Sequence, residues 1–283
     1  MRLAVLLALF LSSLAIAQTP LEEALNLYNR TQYEEALKIL LPLKVKSAPV
    51  YELIGKSYFM SGDFKRASQY FEKAIQLEPG NSSYHNWLGK AYGRRAEMAN
   101  VLAAPGLASK ARKSFEKAVE LDPRNLEATN DLLEYYLEAP GFLGGGIDKA
   151  AALSGKIREV DPIEYHWAQA KIAEKRKEFH TAELQLRRAA ELAPQQIGRL
   201  LDLAKFLARQ GKVQESEAAF AAAEKLAPGS PKIMFEKAST YIRLKHNLET
   251  ARRLLQQYLR CDLTPDLPSK AEAEKLLKAS YGG

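Results

Sequence analysis

Residues 48–81 read APVYELIGKSYFMSGDFKRASQYFEKAIQLEPGN, and their spacing decides the fold. Gly55 stands three positions before Tyr58, Ala67 four before Phe71, Ala74 three after it, and Pro79 closes the stretch. The same order returns as Gly89 and Tyr92, then Ala111, Phe115, Ala118 and Pro123. The five-residue interval from Ala74 to Pro79 recurs between Ala118 and Pro123, Ala189 and Pro194, and Ala223 and Pro228, and Ile157 and Pro162 keep it too. A fixed internal period of this kind marks an array of stacked units.

The residue types say what each unit is. Apolar positions recur at helical spacing, so a unit is two amphipathic helices, A and B. Small residues (Gly55, Gly89, Ala170, Ala204, Ala238) let helix A approach its partner, and large ones (Tyr58, Tyr92, Tyr136, Phe71, Phe115, Phe220) fill the space between pairs. Gly62 and Gly211 suit a left-handed turn that stops helix A. The prolines are expected to end helix B, because proline cannot continue a helix interior.

With those residues placed, the pattern resembles the tetratricopeptide repeat (TPR), a 34-residue unit with W-x2-L-G-x2-Y, then A-x3-F, then P. The stretch 48–81 carries Tyr51, Ile54, Gly55, Tyr58, Ala67, Phe71, Ala74 and Pro79, and 197–230 carries Leu200, Leu203, Ala204, Leu207, Phe220, Ala223 and Pro228. The resemblance implies an all-α, right-handed α-solenoid of about seven helix pairs. Repeats are expected near 18–47, 48–81, 82–125, 126–162, 163–196, 197–230 and 231–265. A capping helix and tail at 266–283 would give the array a polar end, as such arrays require.

The first residues read differently. Arg2 precedes an apolar run from Leu3 to Leu11, and Ala15-Ile16-Ala17 supplies small residues before Gln18. That is the pattern of a secretory signal over 1–17, cleaved before Gln18, and it predicts a periplasmic or secreted protein. No apolar stretch beyond residue 20 reaches the roughly 18 residues of a spanning helix, so no membrane insertion is expected. The lone Cys261 permits no intrachain disulfide and is expected to be buried and inert.

Intervals between prolines show two irregularities. The third unit holds extra residues around Gly93–Ala104, read as continuing helix that ends at Pro105-Gly106. The fourth holds a loop, Ala139-Pro140-Gly141-Phe142-Leu143-Gly144-Gly145-Gly146, with Asp148 expected as the N-cap of the following helix. The two inserts, roughly 93–110 and 139–147, should meet on one edge, with Phe142 and Leu143 tucked beneath the longer one or exposed as a docking edge. Three glycines before a helix also raise the thought of an anion nest, although Ile147-Asp148-Lys149 is not phosphate-loop spacing.

Chemistry is sparse. His85, His166, His180 and His246 have no second ligand at metal spacing, and no H-E-x-x-H or G-x-S-x-G occurs. We therefore expect no enzyme, no cofactor and no metal. The face left over is more telling. In the resembled family helix A lines the concave surface, and its ninth and thirteenth positions point away from the packing. Here those columns read Lys56, Lys90, Glu134, Lys171, Lys205, Ser239 and Met60, Arg94, Glu138, Lys175, Arg209, Arg243, eight of twelve basic. Fifth positions add Asn86 and Asn130, able to bond a peptide backbone, with Trp167 and Phe235 as apolar clamps. Candidate partner-binding residues are thus Lys56, Asn86, Lys90, Arg94, Asn130, Trp167, Lys171, Lys175, Lys205, Arg209 and Arg243, on a basic face with one acidic stripe at the fourth repeat.

Residues 195–283 carry 15 basic and 10 acidic side chains, an excess that favours acidic protein segments and is too small and dispersed for nucleic acid. The expectation is an exported scaffold that binds a protein or peptide through its concave face. A second reading is a module for a glycan, peptidoglycan fragment or other small anionic ligand, with Trp167 as stacking platform. The sequence leaves the oligomeric state open.

Overall fold

The computed structural model describes residues 19–281, and the expected signal segment, 1–17, lies outside them. Fifteen α-helices and no strand occur among the described residues. They are α1 Pro20–Asn29, α2 Tyr33–Leu40, α3 Ala48–Met60, α4 Phe64–Leu77, α5 Ser82–Met98, α6 Ala104–Leu121, α7 Leu126–Glu138, α8 Ile147–Val160, α9 Pro162–Lys175, α10 Phe179–Leu192, α11 Ile197–Arg209, α12 Val213–Leu226, α13 Pro231–Arg243, α14 Leu248–Tyr258 and α15 Lys270–Ala279. The chain is an α-solenoid: odd and even helices pair as A and B through α14, and α15 closes the end against α13 and α14.

Local chemistry starts each helix. Thr19 and Glu22 form a capping box on α1, and Asp63, Asn81, Asn125 and Ser269 accept from first-turn amides of α4, α5, α7 and α15. Gly62 and Gly211 take the left-handed turn after helix A as expected (φ +81° and +74°), and Thr31, Lys177 and Lys245 take it without glycine elsewhere. Two prolines act otherwise than expected. Pro162 opens α9 rather than closing α8, and Pro105 opens α6. Both sit in a first turn, where the missing N–H costs nothing. Asp161 ends α8 and caps α9 at once, donated to by the amides of Ile163 and Glu164, which shortens that linker to one residue.

Packing follows the small-to-large pairing. The Phe71 ring lies on Gly55 and the Phe115 ring on Gly89, while Ala170, Ala204 and Ala238 are fully buried. Phe71 and Phe220 are wholly enclosed, each worth about 1.5–3 kcal/mol of burial. Consecutive A helices touch (α1 with α3, α3 with α5, α5 with α7, α7 with α9, α11 with α13), whereas no B helix reaches the next B. The array therefore bends with its A helices inside. It turns far enough that Asn29–Gln32, after α1, share a cleft of about 440 Å³ with Cys261–Thr264 and Lys270 near the other end. Cys261 is half-buried there rather than fully enclosed.

The two inserts are different objects. α5 and α6 run to 17 and 18 residues where α3 and α4 have 13 and 14, so the third unit is a longer hairpin. The fourth insert folds into a short 3-10 turn, Gly141–Leu143, resting against α6, with Gly144 on the Arg112 side chain. Its glycines form no anion nest: the amides of Gly144, Gly145 and Gly146 donate to the carbonyls of Gly141, Pro140 and Tyr136. Gly146, not Asp148, is the N-cap of α8, since only glycine accepts φ +150° there, and Asp148 falls in the first turn. Leu143 is half-buried, while Phe142 is not tucked away at all.

Candidate functional site

The sequence-selected residues all lie on A helices: Lys56 on α3, Asn86, Lys90 and Arg94 on α5, Asn130 on α7, Trp167, Lys171 and Lys175 on α9, Lys205 and Arg209 on α11, Arg243 on α13. The fold thus brings them to the inner surface. It also brings their counter-charges. Lys90 of α5 reaches Asp131 of α7 at 3.2 Å and Glu127 beside it. Lys175 of α9 meets Glu138 of α7 at 3.3 Å. Between α9 and α11, Arg199 holds Glu164 and Arg209 holds Glu174. Lys205 bridges Asp202 at 3.5 Å on its own helix and Glu236 at 3.2 Å on α13. Lys56 pairs with Glu52 at 2.6 Å and Arg94 with Glu97 within their own helices.

The expected basic face with one acidic stripe is therefore a ladder of alternating charges linking successive A helices. Columns nine and thirteen show only its cations. The sixth column, which reads Asp131, Asp202 and Glu236 in the fourth, sixth and seventh units, would have shown the carboxylates. Among the described residues Lys171 and Arg243 form no ion pair, although Lys171 shares its cleft with carboxylates.

Two other expectations change. Trp167 is only 8% exposed, lying beneath Lys171 at 5.4 Å and Arg199 at 5.9 Å, so it offers no open stacking platform. Phe235 is likewise buried, against Tyr258. Trp87, not singled out in the sequence, sits in the same manner under Lys56 and Lys90. Asn86 and Asn130 spend their amide donors on neighbouring helices, to Asp131 and Glu164, each at 2.8 Å. Their Oδ1 atoms are buried acceptors without a donor, at equivalent positions of successive units. A buried unsatisfied acceptor costs about 1–3 kcal/mol.

Charge at the centre of the inner face is strained by burial. Burial pushes the half-buried Asp131 carboxyl up against the pull of Lys90. Lost hydration within the cleft between α7 and α9 pushes the more exposed Glu134 carboxyl the same way, against the pull of Lys171. In Lys90 burial acts downward, and the carboxylates of Asp131 and Glu127 outweigh it and hold the ammonium above its ordinary range. Beside them, Glu134, Leu137, Glu138, Lys171, Glu174 and Lys175 line a cleft of about 430 Å³. Three carboxylates and two ammonium groups around an apolar floor suit a ligand with both charges, such as a peptide. A polyanion would meet the carboxylates as well as the cations.

Residues 48–81 match the family model described as tetratricopeptide repeat, and residues 201–268 match a second of the same description. These two stretches are tetratricopeptide repeats. Solved structures with related folds include a tetratricopeptide repeat protein from Parabacteroides merdae, at 13% identity and TM-score 0.60, over 93% of this chain and 97% of that one. A thermophilic TPR protein of Thermus thermophilus matches 66% of this chain and 97% of its own, at 20% identity and TM-score 0.53. The human IFIT1 dimer with PPP-AAAA matches at 19% identity and TM-score 0.52, over 85% of this chain and 53% of that one. These likenesses concern the TPR fold. No curated protein matches the sequence.

Proposed function

We propose that this chain is an exported scaffold that brings cell-envelope proteins together, holding a segment of its partner along the concave A-helix face. The TPR fold supports a role in protein–protein interaction, and the sequence pattern of residues 1–17 supports export. The observation that carries the concave site is the charged cleft of about 430 Å³ between α7 and α9, where Glu134, Glu138 and Glu174 face Lys171 and Lys175. The partner's acidic side chains meet Lys171 and Arg243, and its basic ones meet the carboxylates of the cleft. A covered Trp167 removes the stacking surface on which the glycan reading depended.

A photo-reactive residue at position 171, inside the curve, and another at 117, on helix B, test this in envelope extracts. Cross-linking to a discrete protein from 171 and not from 117 is the expected result. Cross-linking from 117 alone overturns the concave site. N-terminal sequencing of the mature protein should begin at Gln18, and a chain retaining Met1 in the cytoplasm overturns export.

A further inference from the structure

The end of the third hairpin is built unlike the other turns of the array. Because α5 and α6 each run four residues past α3 and α4, residues 99–103 stand about 6 Å beyond the neighbouring turn, at ~1.5 Å per residue. That projecting end presents Met98, Val101 and Leu102 at 73%, 87% and 93% exposure. On the next unit Phe142 is 82% exposed, in the 3-10 turn that rests on α6. The three large apolar side chains exposed together at the tip mark a contact site.

Charge behind the tip names what it contacts. Between residues 94 and 113 stand five basic side chains, Arg94, Arg95, Lys110, Arg112 and Lys113, against one acidic, Glu97. Arg95 and Arg112 are engaged within the fold, by Ser68 and Glu116, and Arg94 by Glu97. Lys110 and Lys113 are both exposed, and among the described residues neither forms an ion pair. Lys110 lies six residues into α6, so about 9 Å behind the tip. Apolar groups of surface-bound proteins enter a bilayer by roughly 5–10 Å, with cations left at the phosphate level.

We propose that the end of the third hairpin docks on an anionic lipid bilayer. Met98, Val101 and Leu102 enter the headgroup boundary, and Lys110 and Lys113 meet lipid phosphates. The chain lies on the membrane by this edge; no helix among the described residues is long and apolar enough to cross it. The concave face remains open to a partner.

Co-sedimentation of the full chain with phosphatidylcholine vesicles, with and without phosphatidylglycerol, tests this. Residues 1–18 are common to every variant, so differences between variants report the hairpin. Binding should favour the anionic vesicles and weaken with salt. The double variant Val101→Asp and Leu102→Asp should lose at least about tenfold in partitioning, and Lys110→Glu with Lys113→Glu a similar factor on anionic vesicles only, at about fivefold per basic residue. Circular dichroism should show both variants as folded as the parent. A separate variant, Leu102→Trp, should shift its fluorescence to the blue on adding anionic vesicles. No vesicle binding by the parent, or an unmoved Leu102→Trp spectrum, overturns the proposal. So does a concentration-dependent dimer, or a complex with a soluble protein, that Val101→Asp and Leu102→Asp abolish while vesicle binding persists.

Discussion

Phe115 lies so close on Gly89 that a Cβ added to the glycine would stand 2.5 Å from Cε1 of the ring. Phe71 bears on Gly55 in the same way, at 2.7 Å. Gly93, one turn further along α5, has nothing within 4 Å of that position. Gly89→Ala should therefore destabilise by about 1–3 kcal/mol through overpacking. Gly93→Ala should stabilise by up to about 1 kcal/mol, because alanine favours the helix. Thermal melts of the two variants check this, and equal shifts would mean that the ring can move aside.

That contact was legible in the sequence because it repeats. Gly55 with Phe71 and Gly89 with Phe115 are the same pair one unit apart, and an array discloses its packing by repetition. What escaped were features that occur once. Pro105 and Pro162 are prolines like Pro79, yet each opens a helix, since a proline's effect depends on which side of the cap it falls. The concave residues reached the expected surface, but Asp131, Glu164, Asp202 and Glu236, which neutralise them, sit in other columns of the unit. Their pairing depends on how far each A helix is turned against the next. The burial of Trp167 beneath Arg199 has the same origin, since Arg199 comes from the following repeat.

The fourth insert should behave as a fixed turn. A Cβ on Gly145 would run into the carbonyl of Ala139, whereas one on Gly141 meets nothing within 4 Å. Gly145→Ala must displace the backbone that joins α7 to α8, at a cost of more than about 2 kcal/mol, while Gly141→Ala should stay within about 0.5 kcal/mol. Denaturant midpoints of the pair decide it; tolerance of Gly145→Ala would show that the turn has a second arrangement of similar energy.

Acid should first help this protein and then harm it. Asp131, half-buried, and Glu134, in the charged cleft, have folded-state pKa values raised by lost hydration, so the fold binds their protons more tightly than the unfolded chain does. Their contribution improves as pH falls from neutral through those raised values, and is complete below the ordinary carboxylate range. Glu183, held low by its hydrogen bond from Lys212, works the other way: its stabilisation is present above its unfolded pKa and is lost as pH falls through the lowered folded one. Urea midpoints should thus rise on mild acidification and drop at stronger acid. Glu134→Gln should raise the midpoint at neutral pH and shrink the rise. A parent curve that only falls from neutral would contradict the raised pKa values of the two carboxyls.

Lys171 and Lys205 occupy the same column of adjacent repeats, yet their removal should have different consequences. Lys205 bridges Asp202 and Glu236, so Lys205→Gln breaks the link between α11 and α13. It leaves Glu236 without its cation and Asp202 with only its 3.7 Å contact to Arg199, and should lower the melting temperature. Lys171 lies over Trp167 in a cleft with Glu134, Glu138 and Glu174, and no carboxylate comes within ion-pair distance of it among the described residues. Lys171→Gln should leave the melt within about 0.5 kcal/mol of the parent. Its effect should fall on binding instead: an acidic partner segment should lose on the order of threefold to tenfold in affinity, through slower association that salt abolishes. Lys117→Gln, on α6 and away from the inner face, is the control and should change neither quantity. Binding that survives Lys171→Gln but fails with Lys117→Gln would move the site off the concave face. Association rates measured for the three variants across a salt series separate these outcomes.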